Sequence, residues 1–246
     1  FYVYHPATFG KLPTADETDM LVILGGPMSP NDDFPWIKQE RELIKELAKE
    51  HKPMFGACFG AQQISMAFGG EVSDAKYKEV GWAPVYLKNH EIPDIPDKLT
   101  ALHWHQQMFS IPEGGKLLFS SDLLDNQGFL LGDNIVGLQF HFEPMEDNLR
   151  ESAINDSSYP DDNNALKQNA SEIIAHGVPA ENKDVMLWLM EKKRQYRPKS
   201  TRVQNHKYRK HQIWPWIVGL VVLAAVGAAI AYFTSVYFKT KNAVDK

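Results

Sequence analysis

The sequence contains a single cysteine, Cys58, among 246 residues. One cysteine excludes an intrachain disulfide and leaves cysteine-based zinc frameworks without their ligands. Cys58 is therefore either inert core or a nucleophile. Positive charge is also scarce over most of the chain: residues 1–191 hold 14 Lys or Arg against 30 Asp or Glu, a net of -16, although the whole chain carries only -5. So acidic a body argues against nucleic acid as a partner, because phosphate binding needs a basic face. Position 1 is Phe1, not methionine, so the chain is expected to lack its true start, and an absent signal peptide carries no information. No glycine-rich loop followed by Lys is present to cradle phosphates, so no ATP-using step and no cofactor is expected.

Charge is missing altogether from residues 213–238, IWPWIVGLVVLAAVGAAIAYFTSVYF, a run of 26 positions. About 20 apolar helical residues cross a hydrocarbon core, whereas a buried core helix seldom exceeds about 14. A single transmembrane helix in contact with membrane lipid is expected, with Trp214 and Trp216 at one interface and Tyr232, Tyr237 and Phe238 at the other. Ala224 with Ala228, and Gly227 with Ala231, are small-residue pairs of the kind that let helices approach, though an Ala-rich span contains them by composition. Residues 192–212 carry nine Lys or Arg and no acid, whereas the tail 239–246 has three Lys. The positive-inside bias then places residues 1–212 in the cytoplasm of a single-pass protein of the cell membrane. The linker's charge equally suits anionic headgroups or simple solvation.

One domain, residues 1–191, remains. Short apolar runs alternate with helical patterns in it, which predicts an α/β fold with a mostly parallel sheet. Strands are expected at Met20–Leu24, Pro53–Ala57, Trp82–Leu87, Lys116–Ser120, Phe129–Leu131 and Ile135–Phe140. Helices are expected between Trp36 and His51, at Ala61–Phe68, and over most of 146–191 apart from a polar loop at Asn155–Asn164.

The segment Gly56-Ala57-Cys58-Phe59-Gly60-Ala61-Gln62 puts the cysteine between a predicted strand and a predicted helix, with glycines that permit the sharp turn of a nucleophile elbow. At such a turn the sulfur projects from the sheet edge and the helix N-terminus favours a thiolate. Further on, His141 and Glu143 lie two residues apart in Gly-Leu-Gln-Phe-His-Phe-Glu-Pro and project the same way if the strand persists. That spacing suits a base and the carboxylate that orients it.

These features together resemble the class I glutamine amidotransferases, especially stand-alone members similar to the amidotransferase domain of GMP synthase. The shared features are Gly25-Gly26-Pro27 after a strand, G-x-C-x-G-x-Q at 56–62, Gly81-Trp82, Trp104-His105, and Gln139-Phe140-His141-Phe142-Glu143-Pro144. The resemblance covers about residues 1–190. It implies a flavodoxin-like three-layer fold in which Cys58 attacks a glutamine side-chain amide, His141 shuttles the proton and Glu143 orients His141, through a γ-glutamyl thioester. By the same resemblance the amides of Gly26 and Phe59 form the oxyanion hole, and Gly25, Gln62, Trp104 and His105 contact substrate. Considered alone, Gly25-Gly26 also reads as an ordinary turn and Gln62 as a helix-surface residue. The implied substrate is glutamine, with ammonia passed to an acceptor on a synthase partner. A γ-glutamyl peptide or amide is the alternative substrate, and a catalytically silent membrane-bound binding module is the rival from another class.

Two departures bear on this. Relatives continue Trp-His with x-Asp, but here Trp104-His105 is followed by Gln106 and Gln107. His103 and His105 flank Trp104, and without a third clustered ligand they read as pocket-wall or loop residues, so no metal is expected. Relatives also open with a strand and a helix before the stretch that Phe1-Tyr2-Val3-Tyr4 resembles, so about one β-α unit is expected to be absent.

Overall fold

The computed structural model describes residues 2–156, 159–160 and 163–194, with side chains described to residue 190. The expected span at 213–238, the tail beyond it and nearly all of the basic linker lie outside the described residues. Among the described residues, no helix is long and apolar enough to cross a membrane.

Among the described residues seven strands and six helices follow in the order α1 (Pro6–Phe9), β1 (Leu21–Ile23), α2 (Pro35–Lys49), β2 (Met54–Ala57), α3 (Phe59–Ala67), β3 (Val72–Leu87), β4 (Lys98–Phe109), β5 (Gly115–Ser120), β6 (Gly128–Leu131), β7 (Ile135–Leu138), α4 (Glu146–Asn155), α5 (Ala170–His176) and α6 (Ala180–Arg194). They form one sheet with spatial order β1-β2-β7-β6-β5-β3-β4. Helix α6 runs past residue 191, into the stretch the sequence assigned to the linker.

The sheet is α/β but not mostly parallel. Only β1 with β2 and β2 with β7 run parallel, while β7–β6, β6–β5, β5–β3 and β3–β4 are antiparallel. Connection length is the physical reason. A parallel pair needs a crossover of a dozen or more residues, which α2 supplies between β1 and β2. Only residues 132–134 join β6 to β7 and 121–127 join β5 to β6, so those pairs fold back as hairpins. Strand β4 was not expected at all; its mixed sequence, Lys-Leu-Thr-Ala-Leu-His-Trp-His-Gln-Gln-Met-Phe, carries polar groups on both faces.

Both faces of the sheet are covered. Met54 and Ile135 join Ile37, Ile44 and Leu47 of α2 and Ile64 of α3 in one apolar cluster, whereas their neighbours Phe55 and Val136 pack with Met186 and Leu189 of α6 in another. Adjacent strand residues point to opposite faces, so α2 and α3 lie on one side and α6 on the other. Among the described residues β1 has no strand on its outer edge. Tyr2, Val3 and Phe9 are exposed.

Strands β3 and β4 pair over most of their length, with one irregularity. Asp74 faces Gln107 and Glu79 faces His105, so residues 75–78 bulge against Gln106 alone. A bulge of this kind re-aims the side chain that follows it, and here it swings Glu79 onto β4's histidines. A third cluster, built from Val80, Trp82 and Leu102 with Leu149 and Ile173, covers the opposite face of this ribbon. The Gly81-Trp82 motif belongs to that packing: the Trp82 indole donates to the Ile173 carbonyl at 3.0 Å.

Candidate active site

Cys58 sits between β2 and α3 with φ 50° and ψ -110°, a backbone conformation that a residue with a side chain adopts only under constraint. Two glycines make that constraint sterically feasible. A Cβ on Gly56 would come within 2.6 Å of Gly60 and Ala61 backbone atoms, and one on Gly60 within 2.1 Å of the Ile23 carbonyl oxygen. The elbow is thus clamped between α3 and β1, and the Cys58 amide donates to Leu138 of β7 at 2.7 Å.

His141 and Glu143 arrive by a route the sequence did not show. Strand β7 ends at Leu138, so His141 and Glu143 are not carried by a continuing strand. His141 instead bridges to β4, donating its amide to the Leu102 carbonyl at 2.8 Å and accepting from the Leu102 amide at 3.2 Å. Phe140 and Phe142 anchor the segment by stacking edge-on at 4.7 Å within the core. Alternation about those two aromatic anchors turns Gln139, His141 and Glu143 to one side. His141 Nδ1 is hydrogen-bonded to Glu143 Oε1, and the ring also bonds Cys58. Burial by itself pushes His141 down, but the Glu143 charge and the bonds to Cys58 and Glu143 outweigh it, and the ring is pushed up to about 10. The charged form of His141 is thereby favoured.

Gln139, to which the sequence assigned no role, lies against Cys58: its Nε2 donates to Cys58 Sγ at 3.7 Å. Its position two residues before His141 was the available signal. Gln62 donates to Gln139 Oε1 at 3.2 Å and is buried. Through that bond it is engaged behind the sulfur. Gly25 fits where only a glycine can, since a Cβ there would lie 2.9 Å from the His141 ring and 3.5 Å from Cys58 Cβ. Gly26 follows directly, and Phe59 opens α3, where the first amides of a helix have no intrahelical acceptor.

Trp104 and His105 part company because β4 alternates. Trp104 stacks on Tyr159 with centroids 6.0 Å apart. Tyr159 is held protonated well above the usual tyrosine range, first by burial and then by the charges of Cys58 and Asp156. Lys78, from the bulge, lies 3.8 Å over its ring. His105 faces the other way. It is buried beside His103 and Glu79, so it is not a wall of the substrate opening, and the third ligand-type residue that the sequence did not show is Glu79. In this cluster burial dominates. It lowers His103 to about 3 and His105 well below its usual value, and it raises Glu79 to about 7 despite hydrogen bonds from Ser121 and Gln127.

Comparison with known proteins bears on the same residues. Residues 3–158, which include the cysteine, the histidine and the glutamate, match the family of class-I glutamine amidotransferases. The glutamine amidotransferase-like protein YfeJ of Salmonella typhimurium is 32% identical over 141 residues, 53% of this chain and 59% of its own length. Gamma-glutamyl peptidase 3 of Arabidopsis thaliana is 30% identical over 138 residues, 52% of this chain and 55% of its own. The chain thus spans a little over half of these curated relatives. A crystal structure of a glutamine amido transferase from Methylobacillus flagellatus superposes with a TM-score of 0.72 at 28% identity, covering 86% of this chain and 88% of that one.

Proposed function

The chain belongs to the class-I glutamine amidotransferase family and is an enzyme of it, and on that premise we propose that it cleaves the side-chain amide of a γ-glutamyl group, with glutamine as the first candidate substrate. The observation that carries this reading is the positive-φ elbow at Cys58, with its sulfur bonded to a His141 that is itself bonded to Glu143. The Cys58 sulfur attacks the amide carbon, and the carbonyl π electrons move onto oxygen. The amides of Gly26 and Phe59 receive that oxyanion, a contribution worth about 10²–10³ in rate for each donor. Collapse breaks the C–N bond, and His141 gives its proton to the departing nitrogen. This leaves a γ-glutamyl thioester and a neutral imidazole, which then removes a proton from the water that cleaves the thioester. Glu143 fixes the tautomer throughout by accepting from Nδ1.

Gly25 gives the substrate room beside His141, and Trp104, braced by Tyr159, borders the approach. Gln62 acts through Gln139, which positions the sulfur. Ammonia released from glutamine is handed to an acceptor on a partner protein. The uncharged run at 213–238, preceded by the basic stretch, supports a single-pass place in the cell membrane with the catalytic domain cytoplasmic; external protease that cuts residues 1–191 in intact cells would reverse this.

The test is release of glutamate from glutamine and, in parallel, from a γ-glutamyl dipeptide, each beside Cys58→Ala. Faster release from the dipeptide assigns a peptidase role, as the likeness to gamma-glutamyl peptidase 3 favours. A folded protein that cleaves neither substrate is a binding module.

A further inference from the structure

Glu79, His103 and His105 form a second constellation with no part in the chemistry above. The bulge at 75–78 sets Glu79 opposite His105 in register, and His103 lies two residues away on the same face of β4. All three are buried, at 1%, 0% and 3% exposure. Glu79 Oε1 is 3.5 Å from His103 Nδ1, Glu79 Oε2 is 3.7 Å from His105 Nε2, and the two ring nitrogens are 3.4 Å apart. These separations exceed those of good hydrogen bonds, which cluster at about 2.7–3.2 Å. They come close to the spacing of ligand atoms around a small cation instead: metal–ligand bonds of about 2.0–2.1 Å in a tetrahedron put neighbouring donors about 3.3–3.4 Å apart, and here each ring faces a different oxygen of Glu79, with one ligand atom from each residue within 4.8 Å of the others.

We propose that Glu79, His103 Nδ1 and His105 Nε2 bind a divalent transition-metal ion of the zinc class. Two imidazoles and one carboxylate are the donor set that borderline ions such as Zn²⁺ favour, and a hard ion such as Mg²⁺ prefers oxygen alone. Gln127 completes the set. Its Nε2 lies 3.0 Å from Glu79 Oε2 and 3.3 Å from His103 Nδ1, while its Oε1 is buried without a hydrogen-bond partner. A half-turn of this amide presents the oxygen to the ion as a fourth ligand. Access runs through a cavity of about 240 Å³ that reaches Glu79, with Ser121 and Asp122 on its wall. The Asp122 carboxylate acts electrostatically on Glu79, so the opening carries negative charge toward an entering cation. The site ties β3 to β4 behind the catalytic histidine, since His103 and His105 both interact electrostatically with His141. Metal binding stands apart from the choice of substrate.

The experiment uses the full chain, stripped with a chelator and dialysed against Zn²⁺, with bound metal measured by mass spectrometry and thermal unfolding recorded with and without the ion. About one ion per chain is expected, together with a rise in melting temperature. Cys58→Ala should keep both effects, whereas Glu79→Gln and His105→Gln should each lower affinity at least tenfold. Zinc-edge X-ray absorption reads the ligands in the wild-type chain even if a variant fails to fold, and two imidazoles with oxygen are expected. No bound zinc, a sulfur ligand, or unchanged affinity in folded Glu79→Gln and His105→Gln would overturn the proposal, the last by placing the ion elsewhere.

Discussion

Among the described residues two buried acid–histidine constellations meet at β4, and they behave in opposite ways. In the first, Glu143 bonds His141 directly and the sulfur of Cys58 lies on the ring's other side, and the imidazole is pushed up to about 10. In the second, Glu79 stands 3.5 Å and 3.7 Å from two histidines that burial drives down. The same residue types thus favour the charged imidazole in one place and the neutral imidazoles in the other. What separates them is whether a direct hydrogen bond offsets the loss of water around the charge. The first constellation joins the elbow after parallel strand β2 to a His141 bridged to β4, and the second lies within the antiparallel β3–β4 ribbon.

If that division is right, substitutions in the parallel half strike rate and those in the ribbon strike stability. Cys58→Ala is expected to cost the most, about 10⁶-fold in glutamate release, because it removes the nucleophile itself. Labelling by a glutamine-derived diazoketone should vanish with it; residual turnover near wild type would end the nucleophile assignment. Glu143→Gln should cost about 10⁴-fold while labelling of Cys58 persists, since orientation of His141 suffers more than sulfur access.

The same variant sharpens the electrostatic side of the comparison. A histidine raised from 6.5 to about 10 contributes stability that is fully present below 6.5 and is lost as pH climbs through the folded value. Wild type should therefore lose stability in urea between neutral and strongly alkaline pH, and Glu143→Gln should show a flatter loss. Parallel pH profiles in the two proteins would mean that Glu143 is not what holds the proton on His141.

Gly60→Ala addresses the clamp. Its new Cβ meets the Ile23 carbonyl oxygen at 2.1 Å, so β1 or the elbow must yield. A loss of about 1–3 kcal/mol in stability is expected from overpacking. Turnover should fall about 100-fold, because a shift near 1 Å at a reacting atom costs that much. Unchanged turnover would show that the elbow tolerates movement of its support. The smallest effect on rate is expected from Trp82→Phe in the ribbon. It leaves the buried Ile173 carbonyl without its 3.0 Å donor, at about 1–2 kcal/mol of stability, with glutamate release within about twofold of wild type. A large loss of rate in a normally stable Trp82→Phe protein would dissolve the division between the halves.

Legibility in the sequence followed the same line. Strands β1, β2, β5, β6 and β7 and helix α2 were readable because each is a short apolar run or a clear amphipathic face bounded by turn residues. Their pairing was not, and extending the parallel pattern across the sheet overlooked the short connection at 132–134. Strand β4 escaped because His103, His105, Gln106 and Gln107 break the alternation by which a half-buried strand is found. His103 and His105 do so because the face they occupy is itself buried and polar, whereas Gln106 is exposed on the other face.

Within the site, Cys58 was legible from its flanking glycines and His141 with Glu143 from their spacing and company, since all of these are local. The burial of Gln62 and His105 was not legible, because burial and strand facing decide where a side chain ends up and neither is written in a motif. The sequence by itself determined that a cysteine would stand on a sharp strand-to-helix turn with a histidine and a glutamate available to it. Only the tertiary structure decided that His141 reaches Cys58 through a bridge to Leu102, and that a four-residue bulge carries Glu79 onto His103 and His105. The physical reason is that side-chain facing in a strand reverses with every residue, so a register set by contacts between distant segments selects which groups meet.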